Sequence, residues 1–397
     1  MKGPLEGIKV LDVSRILSGP FCTMLLADLG AEVVKVERPG NGDPARILGP
    51  KVGEERAYFI SVNRGKKSIT LDIAVQEGQR ILRDLIPHFD VLVENFVPGT
   101  MTRFGLDYPK LKKLNHRLVY ASISGFGQNG PAAARPALDI IVQAMGGIMS
   151  VTGEPDGAPI RPGASLGDST AGVFTALTIV SALWQRQKSR KGQYIDMSML
   201  DCQITMMENA FSRYFATGEV PGPLGSRHPA AAPFQAFHAS DTYFVVALIT
   251  DDIDTWRRFC NAIGYPDLSE DKRFLSNSDR VTNLDALTKI LRHVFSQKTT
   301  AHWLTVLMIA DIPCGPVNNI KAVIEDPQVQ HRNMITSIPD PSAGTWQVEN
   351  TPFRLSEALT GPAGPSPRLG EHTRTVLQGI LGLSNAEIDS MKELNII

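Results

Sequence analysis

Apolar residues recur in two alternating rhythms over the first third of the chain. Short runs of Val, Ile and Leu at residues 8–13, 32–36, 68–73, 91–93 and 118–123 have strand length. Segments with helical spacing lie between most of them, at 20–29, 76–89 and 108–115. Strand and helix in alternation predict an α/β fold with a parallel sheet buried under helices. Such a sheet gathers its ligands at the carboxyl ends of its strands.

Further on, the pattern predicts a short apolar helix at 139–149, a turn-rich stretch at 153–157 and a long helix from Asp168 to about Gln187. Lys188, Arg190 and Lys191 followed by Gly192 suit the end of that helix, where cations face the negative pole of the dipole. A Pro/Gly-rich stretch at 221–225 reads as a linker. Beyond it come a strand at 243–249 and helices at 251–263, 280–295 and 301–310. Pro313 to Pro316 interrupts the pattern, and a second Pro/Gly stretch at 361–365 precedes two helical segments after His372 and Ser384. The organisation expected is a first part of a large domain over 1–220, a smaller α/β domain over 221–325, and a return segment over 326–397.

A chain of 397 residues with 43% hydrophobic content can fill such cores. The net charge of −1 offers no global attraction to nucleic acid or membrane, and neither is expected as a partner. No apolar run is seen that approaches the roughly 18 residues of a bilayer span, and the residues around Lys2 to Glu6 do not read as a signal peptide. Cys22, Cys202, Cys260 and Cys314 are scattered without a CxxC pair, which fits free thiols in a reducing compartment. A cytoplasmic location is expected, with an organelle matrix left open.

The dinucleotide fingerprint is missing: the first strand leads into Ser18-Gly19-Pro20-Phe21, with a single glycine. Gly65-Lys66-Lys67-Ser68 lacks the opening glycine of a phosphate loop, where Ile60 stands. Gly163 to Gly167 spells GxSxG, but Pro159 and Pro162 spoil the strand that a nucleophile elbow requires. Asp168 follows directly. It suits a helix N-cap, and it equally suits a carboxylate nucleophile kept ionised by the helix N-terminus, and both readings can hold together. Arg15, Arg38, Arg64, Lys66, Lys67 and Arg103 lie at or near strand ends, where together they could bind a phosphate-bearing cofactor. The loop Gly125-Phe126-Gly127-Gln128-Asn129-Gly130 is either a plain connection or a flap over the site.

Several motifs share a further likeness. They are 5–12, 18–23, 26–33, 35–38, Asn63-Arg64-Gly65-Lys66-Lys67-Ser68, Val93-Glu94-Asn95-Phe96 with Pro98-Gly99, Gly125-Phe126-Gly127, Gly167-Asp168 and Leu369-Gly370-Glu371-His372-Thr373. Together they closely resemble the class III CoA-transferases of the CaiB/BaiF type, from residue 5 to about 395. The resemblance implies a Rossmann-like large domain made from both chain ends, a small domain between, and a homodimer of interlocked subunits. It places the nucleophile on Asp168. It places contacts to coenzyme A, as part of the acyl-CoA substrate, on Leu17, Ser18, Arg38, Leu71, Asp72, Ile73, Ala74, Asn95, Phe96, Val97, Arg103 and the stretch around Arg135, with Arg15 as a neighbour. No metal is implied.

Where formyl-CoA transferases carry Gln and Tyr, this chain has Leu17 and Leu138, and their run of glycines is replaced by Gly225-Ser226-Arg227-His228-Pro229. These departures count against formyl-CoA/oxalate specificity, and the resemblance points to transfer of CoA between carboxylic acids through an aspartyl-CoA thioester on Asp168. Arg227 and His228, with Gly125, Phe126 and Gly127, are the candidates for substrate contact, Arg227 as a clamp on a distal carboxylate such as that of succinate. The rival readings are an α-methylacyl-CoA racemase, which would need a histidine where Leu138 stands, and a CoA-binding protein without catalysis.

Overall fold

A computed structural model describes residues 2–340 and 344–397. The chain divides into two compact units. The first comprises Met1–Ile148, Arg161–Ser212 and Pro327–Ile397; the second comprises Met149–Ile160 and Arg213–Asp326. The turn-rich stretch at 153–157 thus belongs to the second unit, whereas the sequence reading left it with the first.

The first unit is built on six parallel strands: β1 (Lys9–Asp12), β2 (Glu32–Glu37), β3 (Lys67–Thr70), β4 (Val91–Glu94), β5 (Val119–Ser124) and β6 (Tyr194–Ser198). Their order across the sheet is β3-β2-β1-β4-β5-β6. Alternate residues face opposite sides, so both faces are apolar. Val10, Val33, Val91, Val93 and Val119 enter one core, and Leu11, Val34, Val36, Leu92 and Tyr120 enter the other.

Helix α1 (Ser18–Asp28) and the long helix α5 (Leu166–Ser189) cover the first face through Cys22, Leu25, Leu26, Ala171, Ile179 and Leu183. Helices α2 (Gln76–Leu85), α3 (Tyr108–Leu114), α6 (Thr373–Leu381) and α7 (Asn385–Glu393) cover the second. The return segment is fastened to the edge strand: His372 N–H donates to the Ser68 carbonyl at 2.8 Å, Gly370 N–H to the Ser68 hydroxyl at 3.0 Å, and Thr70 N–H to the Thr373 hydroxyl at 2.9 Å. The last residues, Ile396 and Ile397, are buried in the same core.

The second unit carries a three-stranded antiparallel sheet of Phe234–His238, Tyr243–Ala247 and Cys314–Pro316. Helices Ile253–Ala262, Leu284–Phe295 and Thr300–Ile309 enclose an aromatic core of Phe237, Phe244, Trp256, Phe259, Phe295 and Trp303 with it.

Several expectations are corrected. The strand expected over 68–73 ends at Thr70, because Leu71 to Ala74 turn away to line a cleft. The helix expected over 139–149 is α4 (Asp139–Met145) and a separate turn at Ile148–Val151, parted at Gly147, whose φ of +88° no helix accepts. The helix expected over 280–295 is two helices, Asn277–Thr282 and Leu284–Phe295. The interruption at 313–316 holds an edge strand, a place where proline is tolerated. Strand β6, the strand Phe234–His238 and the hairpin of Ile335–Asp340 with Gly344–Glu349 were not foreseen. Helix α5 is also long and apolar enough, by length and composition, to cross a membrane, which the sequence reading missed. One face of it packs in the core just described; Val173, Leu177 and Trp184 on other positions are exposed.

Candidate active site

The strand order reverses between β1 and β4, and the loops that follow the strands open a crevice there. A cleft of about 510 Å³ is lined by Arg15, Arg38, Leu71, Asp72, Ile73, Ala74, Phe96, Val97 and Arg103 among others. A smaller one of about 240 Å³ is lined by Arg15, Leu17, Ser18, Asn95, Phe96, Val97, Gly125, Arg135 and Asp168. The two meet at Arg15, Pro44, Phe96 and Val97. The fold thus brings most of the sequence-predicted residues to one edge of the sheet.

The remainder fall elsewhere. Phe126 lies under the Arg135 guanidinium, 5.5 Å from it, and Gly127 takes a φ of +84°. The next amide, Gln128 N–H, donates to the Asp196 carboxylate at 3.1 Å and so ties this loop to β6. Arg227 and His228 belong to the second unit. There Arg227 donates to the Leu224 carbonyl at 3.2 Å and sits 3.5 Å from Asp285, while His228 packs on Phe234.

The cations split into two groups. Arg15, Arg38 and Arg103 are exposed on the larger cleft, Arg15 stacked on Phe96 at 4.4 Å. Arg64, Lys66 and Lys67 do not line either cleft, which corrects the expectation that all six could hold one cofactor. Arg64 is buried against Asp28 at 2.9 Å and Lys66 against Asp12 at 3.0 Å; Lys67 pairs with Glu32 at 2.6 Å on the surface.

Lys66 is instead part of a buried network beneath the loop that joins β1 to α1. Asp12 accepts from the Ser14 hydroxyl and amide, the Thr23 hydroxyl at 2.7 Å and Lys66. Lys35 donates to the Ser14 carbonyl and to Asp43, both at 2.8 Å. Burial opposes ionisation of Asp12, yet Lys66, Lys35 and the two hydroxyls outweigh it and hold its carboxyl well below the usual range. The network fixes Ile16 at a φ of +67°, a conformation that a β-branched residue rarely adopts. Asp43 accepts from the Ile16 amide at 3.0 Å, and Asn95 bonds the Arg15 amide and carbonyl at 2.8 and 2.7 Å. Sequence reading did not single out Lys35 or Asp43. The available signal was a lysine in the middle of the apolar strand Glu32–Glu37.

Asp168 stands in the first turn of α5 and does not cap it: the helix starts at Leu166. Asp139, at the start of α4, does that work. It accepts the Gly167 amide at 2.9 Å and the Asp168 amide at 3.4 Å. Its other oxygen takes Gln143 at 2.7 Å and Arg161 at 2.9 Å. Helix α1 reaches this point because Gly172 lets it: a Cβ there would lie 2.9 Å from the Ser18 carbonyl oxygen.

The Asp168 carboxyl is pushed up to about 6 by burial and then by Asp139, against the opposing hydrogen bonds of the Ser18 hydroxyl and amide and the charge of Arg161. Asp168 thus lies in the first turn of α5, as expected, but burial and Asp139 work against its ionisation. Above about pH 6 the group is ionised yet poorly solvated. Tyr58 lines neither cleft, but burial and then the charges of Asp168, Asp139 and Asp43 raise its phenol.

A doubly covered parallel sheet, with a cation-bordered cleft at its switch point and a desolvated carboxylate on the adjoining one, defines an α/β protein whose ligand site lies at the strand ends. The profile of CoA-transferase family III matches residues 5–373, and the chain belongs to this family. It is 45% identical to the acetyl-CoA:oxalate CoA-transferase of Acetobacter aceti over 89% of this chain and 90% of that one. It is 38% identical to the succinyl-CoA:glutarate CoA-transferase of Mus musculus over 98% and 89%. A CaiB/BaiF family protein from Brucella suis superposes with a TM-score of 0.86 at 39% identity, over 96% of this chain and all of that one. The protein is a CoA-transferase acting between carboxylic acids, with CoA thioesters as its substrates.

Proposed function

We propose that the enzyme moves CoA from an acyl-CoA to a short dicarboxylic acid through covalent intermediates on Asp168. The observation that carries this is the poorly solvated Asp168 carboxylate on the small cleft, where it meets the larger, arginine-bordered one. An Asp168 oxygen attacks the thioester carbonyl; the C–S bond breaks and CoA leaves as thiolate, giving an acyl-aspartyl anhydride. The thiolate then attacks the Asp168 carbonyl and expels the donor acid, leaving an aspartyl-CoA thioester. The acceptor carboxylate attacks that thioester, and the thiolate finally attacks the acceptor's carbonyl of the second anhydride, which restores the Asp168 carboxylate. Ser18, whose hydroxyl and amide face Asp168, supplies donors for charge that develops there.

Arg38 and Arg103 suit the phosphates of CoA, and the 71–74 and 95–97 loops suit the rest of the molecule. The two relatives named above act on oxalate and glutarate, both dicarboxylates, which favours an acceptor of that class. The apolar positions Val173, Leu177 and Trp184, 49%, 60% and 70% exposed along α5, favour a homodimer. Racemisation is disfavoured, because no histidine among the described residues lines the cleft that holds Asp168.

The test is trapping. With acyl-CoA and hydroxylamine, mass spectrometry should find Asp168 as its hydroxamate, and Asp168→Asn should fold yet transfer nothing. An unmodified Asp168 peptide together with an active Asn variant would overturn the mechanism.

A further inference from the structure

Among the described residues, six acidic side chains are buried in the first unit: Asp12, Asp28, Glu37, Asp43, Glu94 and Asp139. Five have a basic partner within 3.0 Å, namely Lys66, Arg64, Arg46, Lys35 and Arg161. Glu94, 3% exposed at the end of β4, has none among the described residues. It accepts the Phe96 amide at 2.8 Å and a bond from the Ser122 hydroxyl. A buried carboxylate without a countercharge is costly: it takes up a proton unless a cation meets it.

Glu94 lines a cavity of about 270 Å³, separate from the two clefts described above and on the other side of the loop at Val97 and Pro98. Among the described residues, no lysine, arginine or histidine lines it. Its walls include Tyr108, Tyr120 and Tyr194, whose ring centroids are 5.6–6.0 Å apart; Asp107 also lines it but is taken up by the Lys110 amide at 3.1 Å and ammonium at 3.8 Å, and the Lys112 ammonium lies 5.6 Å from the centre of the Tyr108 ring. Aromatic faces with a carboxylate between them attract an ammonium group. Gln128 also lines the cavity, and its side-chain nitrogen is buried with no acceptor. That donor calls for an oxygen on the ligand.

We propose that this cavity binds a small amine that carries an oxygen acceptor beside its ammonium group, with the ammonium on Glu94 and the oxygen on Gln128. The site is independent of the chemistry assigned to Asp168. Burial, and to a smaller extent Asp196, holds the Glu94 carboxyl up at about 7 against Ser122 and the Phe96 amide; Tyr108, Tyr120, Tyr194 and Asp107 are the other ionisable groups around it, with Lys110 on Asp107 and Lys112 over Tyr108.

The probe is ethanolamine, with ethylene glycol as its neutral counterpart, followed by calorimetry on the whole protein. Ethanolamine should bind saturably and ethylene glycol should not. Affinity should rise by about tenfold from pH 6 to pH 8, as Glu94 loses its proton. Glu94→Gln should weaken binding by about tenfold or more. Tyr194→Leu, at a partly exposed position, removes one aromatic wall and a bond to the Ser122 hydroxyl but keeps the Glu94 side chain, and should weaken it roughly fivefold. Absence of saturable ethanolamine binding, equal binding of ethylene glycol, or unchanged affinity in either variant overturns the proposal.

Discussion

Asp168→Asn should make the protein more stable while abolishing transfer. Burial and Asp139 raise the Asp168 carboxyl from the ordinary 3.8 to about 6. A carboxyl that holds its proton more tightly in the folded state stabilises the fold when protonated. That contribution is complete below the unfolded value near 4 and is lost as pH rises through about 6. Roughly two units correspond to about 3 kcal/mol of destabilisation by the ionised group at pH 8, an upper figure because the side chain is only partly enclosed. Asparagine keeps an oxygen for the Ser18 donors and removes the repulsion with Asp139. Urea unfolding at pH 8 should therefore show the variant ahead by about 2–3 kcal/mol, and the gap should close by about pH 4. A variant less stable than wild type at pH 8, or a gain that does not change with pH, would refute the electrostatic account of this site.

Three further outcomes are expected. The acid limb of kcat/KM should fall near pH 6 with Asp168 ionisation, and Asp139→Asn should move it to lower pH, since it removes the like charge and frees Arg161; a limb that stays in place would show that Asp139 does not act on Asp168. Lys66→Met leaves Asp12 buried against fewer donors and should cost about 3–5 kcal/mol in urea unfolding, whereas the double change with Asp12→Asn should cost clearly less; equal costs would contradict the pairing. Arg38→Ala and Arg103→Ala should each weaken CoA binding about tenfold by calorimetry, and unchanged affinity in both would move the nucleotide out of the larger cleft.

The sequence by itself determined the parallel sheet and its helical cover. Strands buried on both faces must be near-continuous apolar runs, and β1, β2, β4 and β5 are legible for that reason. Strand β6 was not, because Tyr194 and Asp196 face outward on an edge and dilute its pattern. Family likeness marked Asp168 and the loops around it, since their glycines and arginines are tied to local shape. Tertiary structure alone decided what charges Asp168. Asp139 lies 29 residues earlier and takes the capping place that local sequence offered to Asp168 itself. It also decided which cations are free. Arg64 and Lys66 look like Arg38 and Arg103 in the chain, yet Asp28 and Asp12 draw them inward, and nothing in a one-dimensional pattern states which acid a base will meet. Glu94 shows the converse: only the folded arrangement reveals a buried acid whose partner the chain does not supply.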